Sequence, residues 1–145
     1  MIYLRCNIKQ VVNQMVTKYK TRNPYELCDY TNVLVQVCEL GDVLGCYLLI
    51  KRQKCILLNQ SIIGTPLEKV VLAHELGHSK LHYKNQCYFY GSTLFNKNKE
   101  ENEANKFAAE LLIDDDILNE HREFTTEQLS RLLGYDKKFI ELRLK

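Results

Sequence analysis

Val70-Val71-Leu72-Ala73-His74-Glu75-Leu76-Gly77-His78 sets an H-E-x-x-H sequence inside an apolar run with helical spacing. Two histidines four positions apart stand one above the other on a helix face, so both imidazoles reach one metal ion. The glutamate between them lies beside that ion, where it accepts a proton from water that the metal activates. The motif points to zinc-dependent hydrolysis of a peptide bond, with one zinc per chain, His74 and His78 as ligands and Glu75 as general base. Thr65-Pro66-Leu67-Glu68 opens this helix: Thr65 is the expected cap, Pro66 the first helical residue, and Glu68 the partner in a capping box. The helix is expected to end near His82.

A catalytic zinc takes three protein ligands and keeps a fourth position for water. The metzincin pattern H-E-x-x-H-x-x-G-x-x-H does not supply the third, because Leu81 stands at its glycine and Lys84 at its last histidine. His82 lies four after His78 but eight after His74, roughly 12 Å of helix rise and too far for a shared ion. It reads as a helix-end histidine that meets the C-terminal carbonyls.

The next helical pattern, over residues 99–113, offers a better ligand. Ala104, Ala108, Leu111 and Leu112 form one inward stripe, and Glu101, three before Ala104, shares it. Asn105 is one turn further along the same face. An inward glutamate is costly unless something satisfies it, and a metal does. Glu103 lies about 160° from Glu101 by helical phase, and Glu100 lies to one side. Glu101 is therefore the expected third ligand. Asn105 is the expected residue behind a ligand histidine, holding it by a hydrogen bond. Glu103 is expected to tolerate replacement.

Outward from this core, residues 8–20 carry Ile8, Val11, Val12, Met15, Val16 and Tyr19 at helical spacing. Asn23-Pro24-Tyr25-Glu26 starts a short helix that ends near residue 30, with Asn23 as cap. Residues 33–37, 44–50 and 55–59 read as strands, the last two joined by a polar hairpin loop at residues 51–54. A long loop covers residues 83–98, with a short strand expected at residues 87–90. Thr125 and Gln128 form a capping box for a helix ending at Gly134, and a last helix covers residues 136–144. The expected fold is α+β with a zincin-like core. It comprises a small antiparallel sheet, the H-E-x-x-H helix, a glutamate-ligand helix and a C-terminal helical pair over residues 125–145, all in one domain of residues 1–145.

Composition agrees with a soluble globular chain. A formal charge of +2 over 145 residues gives no electrostatic footprint for nucleic acid. No apolar run approaches a membrane span, and the N-terminus lacks the pattern of a signal peptide. Six cysteines, at positions 6, 28, 38, 46, 55 and 87, include no C-x-x-C pair. They read as free thiols in a reducing cytoplasm rather than a disulfide framework.

His-Glu-Leu-Gly-His at residues 74–78, with Glu101-x-Glu103-Ala104-Asn105-x-Phe107-Ala108-Ala109-Glu110-Leu111-Leu112 downstream, resembles the ImmA/IrrE metallopeptidases. The resemblance extends to the Asn-Pro-Tyr-Glu helix start, the strand ending at Asn59 and the closing Phe139-Ile-Glu-Leu-Arg-Leu144. It implies a gluzincin-like site of His74, His78 and Glu101 with Glu75 as base. It also implies a protein substrate: a helix-turn-helix repressor of a phage or mobile element. One departure is the helix exit, Leu-Leu-Ile113-Asp114, where the family often has a methionine and a proline. Some relatives carry a further sensory domain, for which this length leaves no room.

Three features complete the reading. The loop tyrosines Tyr83, Tyr88 and Tyr90 are available to stabilise an oxyanion, with Tyr88 and Tyr90 as the candidates. An edge of the small sheet offers a place for substrate to add as a strand. A non-catalytic anti-repressor that sequesters its partner is the alternative reading, and an inert version would be expected to lose Glu75 or a ligand. A helix-turn-helix in residues 125–144 would turn at Gly134. However, Lys137, Lys138 and Arg143 are interleaved with Phe139, Ile140, Leu142 and Leu144, which suits a packing pair. No direct contact with nucleic acid is expected.

Overall fold

The fold was obtained as a computed structural model, which describes residues 7–91 and 98–145. Cys6 and residues 92–97 of the long loop lie outside the described residues. The chain opens with α1 (Ile8–Tyr19) and α2 (Pro24–Tyr30). The Asn7 and Asn23 side chains accept from backbone N–H groups of the two first turns, as caps do. Three strands follow: β1 (Val33–Cys38), β2 (Gly45–Ile50) and β3 (Gln53–Asn59). A short 3-10 turn at Gln60–Ile62 leads to α3 (Leu67–Leu81), then β4 (Cys87–Phe89) and α4 (Lys99–Leu112). Three short helices end the chain: α5 (Asp115–Glu120), α6 (Thr126–Leu133) and α7 (Lys137–Leu144).

The sheet is mixed rather than wholly antiparallel, with strand order β1-β3-β2-β4. β2 pairs antiparallel with both β3 and β4, whereas β1 pairs parallel with β3. The cause lies in the connections. Lys51 and Arg52 both adopt positive φ, at 49° and 67°, and close a two-residue turn between Ile50 and Gln53. That tight hairpin folds β3 back alongside β2. Residues 39–44 meanwhile carry the chain past the place β3 will take. The Asn59 side chain fixes this link by donating to the carbonyls of Gly41 and Val43 at 3.0 and 2.9 Å.

α3 lies between the sheet and α4. Every residue from Val70 to Ser79 is buried, which explains why its sequence is apolar all round and interrupted only by the motif's polar groups and by Ser79, whose hydroxyl donates to the Leu76 carbonyl. On the sheet side, a Cβ at Gly45 would stand 2.5 Å from Val71 Cγ1. On the other side, a Cβ at Gly77 would stand 3.1 Å from Phe107 Cβ, Cγ and Cδ1 of α4. Glycine at these two positions lets β2 and α4 close on the helix from opposite sides.

Two local expectations change. The capping box at Thr65 does not form: its hydroxyl donates to the Ile62 carbonyl, and Glu68 accepts from Gly64 N–H instead. The preceding turn has claimed both groups. Asp115–Glu120 forms a helix that the sequence pattern does not announce, capped by Asp114 and with no buried residue to mark its period. The Thr125–Gln128 box is present as expected, and Gly134 closes α6 in the left-handed region at φ 79°. α6 and α7 pack as a closing pair. Phe139, Ile140 and Arg143 are buried, with Arg143 donating to the Ile113 carbonyl at 2.6 Å. Lys137 is engaged by Glu127 and Arg143 by Asp115.

No described helix is long and apolar enough to cross a membrane. The five described cysteines are free thiols, with Cys28 and Cys46 buried.

Candidate metal centre

α3 and α4 bring the three expected ligands together. His74 and His78 present their Nε2 atoms 3.1 Å apart. Glu101 reaches across from the first turn of α4, with Oε2 2.9 Å from His74 Nε2 and Oε1 3.1 Å from His78 Nε2. Among the described residues these three form the one cluster with metal-ligand spacing. Asn98 caps α4 through the N–H groups of Glu100 and Glu101, which fixes where that first turn begins.

The donors fit a zinc ion. Two ligand atoms bound to one zinc at a tetrahedral angle stand about 3.3 Å apart, close to the separations seen here. Two imidazoles and one carboxylate are also a catalytic donor set, leaving a position open. The histidines are held with Nε2 toward the cluster because their Nδ1 atoms are engaged elsewhere. His74 Nδ1 lies 2.7 Å from Asn105 Oδ1, where Asn105 was expected. The His74 ring also packs edge-on against Phe89 of β4, with centroids 4.8 Å apart.

Glu75 is fully buried beside this cluster. Its Oε2 accepts from the Cys87 thiol at 2.9 Å. Its Oε1 is buried with no hydrogen-bond partner among the described residues and lies 3.9 Å from His74 Nε2. Burial pushes the Glu75 carboxyl well up, and the Glu101 charge adds to this against the Cys87 hydrogen bond. Burial also pushes His74 down, toward the neutral form that a ligand needs. Glu101 behaves oppositely. Burial alone would raise it, but hydrogen bonds and charge from His74 and His78 outweigh that and hold it at about 2.

Two expectations about this region are corrected. His82 does not turn to the helix carbonyls: its ring Nδ1 is 3.1 Å from His78 Nδ1 and its Nε2 is 3.0 Å from Glu103 Oε1. Glu103 is accordingly not a free surface charge, since it reaches the cluster's outer side through His82. Cys87 and Phe89 are further neighbours that sequence reading missed. Alternation along β4 was the available signal, since it turns both toward α3. By the same alternation Tyr88 falls on the opposite face, and it is 49% exposed. Tyr90 follows the strand and is also exposed. The Tyr83 carbonyl accepts from the Tyr47 hydroxyl, and the Tyr83 ring lies under Lys54.

Residues 28–145 match a peptidase family described as the IrrE N-terminal-like domain. The chain is 36% identical over 140 residues to an "Uncharacterized immunity region protein 2" of Bacillus phage phi105, which covers 94% of this chain and 88% of that protein. It is 32% identical over 125 residues to "Metallopeptidase ImmA" of Bacillus subtilis (strain 168), covering 82% of this chain and 70% of that one.

Proposed function

The chain belongs to the ImmA/IrrE metallopeptidase family, and on that premise we propose that it is a zinc-dependent endopeptidase acting on a protein partner. His74, His78 and Glu101 hold the ion, and Glu75 is the general base. The observation that carries this reading is the unpartnered Oε1 of a fully buried Glu75 beside three converging donors. An unsatisfied carboxylate oxygen in such a place is costly, and a base awaiting a proton accounts for it.

When bound, zinc supplies Lewis acidity, making water nucleophilic at neutral pH and polarising the scissile carbonyl. The protein's own groups do the rest. Glu75 Oε1 accepts the proton from the attacking water, and the carboxylic acid so formed returns it to the leaving amine. Cys87 holds Oε2, so the carboxylate presents Oε1 in a fixed direction. Burial raises the proton affinity of Glu75, which strengthens it as the acceptor of that proton.

The strand order leaves β1 and β4 as the sheet's edges. β4 is the edge beside the site, since Cys87 touches Glu75 and Phe89 touches His74. An extended substrate segment adds to β4, its backbone held by strand pairing and its scissile bond beside Glu75. A repressor with a helix-turn-helix domain is the proposed substrate. The similarity to a phage immunity region protein supports that setting.

The test uses purified, zinc-loaded protein and, as candidate substrate, a helix-turn-helix repressor sought in the neighbouring reading frame, followed by mass spectrometry. Wild type is expected to cut the repressor once bound to one zinc. H74A, H78A and E101A should lose the metal. E75Q should keep both metal and fold but not cut, because the amide cannot accept the proton. Cleavage by E75Q at the wild-type rate would remove Glu75 as base. Binding without any cleavage by wild type would make the chain a sequestering anti-repressor instead.

A further inference from the structure

We infer that Glu103 and His82 form a positioning pair that sets the tautomer of His78 and so keeps its Nε2 lone pair on the metal side. The inference rests on the reading of His74, His78 and Glu101 as the metal site. His82 is the residue at which α3 ends, with φ −136° and ψ 44°, outside the helical region. That change of direction takes its ring off the helix line. The ring sits between His78 and α4, with its side chain only 9% exposed. Its two nitrogens are both engaged: Nδ1 with His78 Nδ1 at 3.1 Å, Nε2 with Glu103 Oε1 at 3.0 Å.

The proton positions follow from what each group is able to do. An ionised carboxylate only accepts, so the His82 nitrogen facing Glu103 carries hydrogen. A neutral imidazole has one hydrogen, so His82 Nδ1 carries a lone pair and accepts. The nitrogen opposite it, His78 Nδ1, must then be the donor. His78 Nε2 is left with its lone pair, facing His74 Nε2 and Glu101. The opposite tautomer of His78 would place a hydrogen among the three donors and leave two lone pairs opposed at 3.1 Å. Glu103 thus acts on the site through two hydrogen bonds without touching it.

α4 serves the centre three times. Glu101 enters the cluster, Asn105 holds His74, and Glu103 holds His78 through His82. The histidines are fixed by different means: a neutral amide behind His74 and a charged relay behind His78. Helical phase alone separates Glu103 from Glu101, and it is the turn of the chain at His82 that joins Glu103 to the site.

The experiment measures zinc affinity by competition with a chromophoric chelator. It also reads histidine tautomers by long-range proton–nitrogen correlation in the metal-free chain, where no ion fixes the His78 hydrogen. E103A and H82A should each weaken zinc binding about 10–100-fold, the range for loss of a group behind a metal ligand. The double variant should be no weaker than the worse single, because the two residues act as one relay. E103Q should recover most of the affinity, since its amide oxygen still accepts from His82 Nε2–H. In wild type, His82 should be the Nε2–H tautomer and His78 should carry its hydrogen on Nδ1. A merely structural role would lower the melting temperature without changing tautomers or being rescued by E103Q. Should H82A fail to fold, E103A against E103Q and the wild-type tautomers carry the test alone. Additive losses, wild-type zinc affinity in every variant, or a His82 hydrogen on Nδ1 would overturn the relay while leaving the metallopeptidase reading intact. Failure of wild type to bind zinc at all would remove both.

Discussion

His74 Nδ1 and Asn105 Oδ1 stand 2.7 Å apart across the α3–α4 interface, and both residues are buried. The amide oxygen accepts from the ring, which directs His74 Nε2 toward Glu101. Replacing Asn105 with Ala removes that acceptor and lets the ring rotate or change tautomer. Zinc affinity should fall about 10–100-fold in a chelator competition. N105D keeps an acceptor and should bind at least as tightly as wild type. Unchanged affinity in N105A would show that packing against Phe89 alone orients His74.

The Cys87 thiol donates to Glu75, and both burial and the neighbouring carboxylate push its pKa far up. Cys87 is therefore expected to act as a hydrogen-bond donor rather than a nucleophile at neutral pH. C87S keeps a donor and should retain cleavage within a few-fold of wild type. C87A leaves Glu75 free to turn and should lower kcat roughly 10-fold, a part of the roughly 100- to 10,000-fold that a general base contributes. Iodoacetamide should label Cys87 far more slowly in the folded chain than after unfolding. Rapid labelling at pH 7 would contradict the assignment.

Much of the site was legible because it rests on helical period. His74 and His78 are one turn apart, and Glu101 shares the stripe of Ala104 and Ala108, so both faces could be drawn before they met. The relay through Glu103 was hidden for the opposite reason. It needs His82 to leave the helix and α4 to cross at a particular place, and neither is a property of spacing. The parallel pairing of β1 with β3 was hidden likewise, since strand composition does not say which strand a hairpin will insert beside. Thr65 shows a local failure: it has the residue types of a capping box, but the turn before it offered its hydroxyl the Ile62 carbonyl.

Glu68 ties the start of α3 to neighbouring segments, accepting from Gly64 N–H at 2.8 Å and from the Tyr25 hydroxyl. The Gly64 and Tyr25 hydrogen bonds hold its carboxyl below the usual range, with burial opposing. A depressed carboxyl contributes stability above its unfolded pKa, about 4.3, and loses that contribution as pH falls through the folded value. E68Q should therefore cost about 1 kcal/mol at pH 7, a modest figure because the group is partly solvated. Urea unfolding of both proteins between pH 7 and pH 2.5 should show the gap closing below about pH 4. A gap that stays constant to pH 2.5 would mean that the ionised form of Glu68 contributes nothing.

Gly77 sets the distance between the two helices that build the metal centre. Alanine there would gain about 1 kcal/mol of helix propensity, since the residue lies in the middle of α3. Against this, its Cβ would lie 3.1 Å from Phe107 Cβ, Cγ and Cδ1, on a ring that is fully buried. Phe107 Cβ is bonded to the α4 backbone, so a rotamer change of the ring does not relieve the contact, and α4 itself must move. Overpacking of this kind costs about 1–3 kcal/mol, enough to outweigh the propensity gain. The displaced helix carries Glu101 and Asn105, so the same change should weaken zinc binding at least several-fold. G77A is thus expected to be less stable to urea in the metal-free state and weaker in chelator competition. A G77A protein that gains stability and holds zinc as tightly as wild type would show that α4 yields without disturbing its ligands.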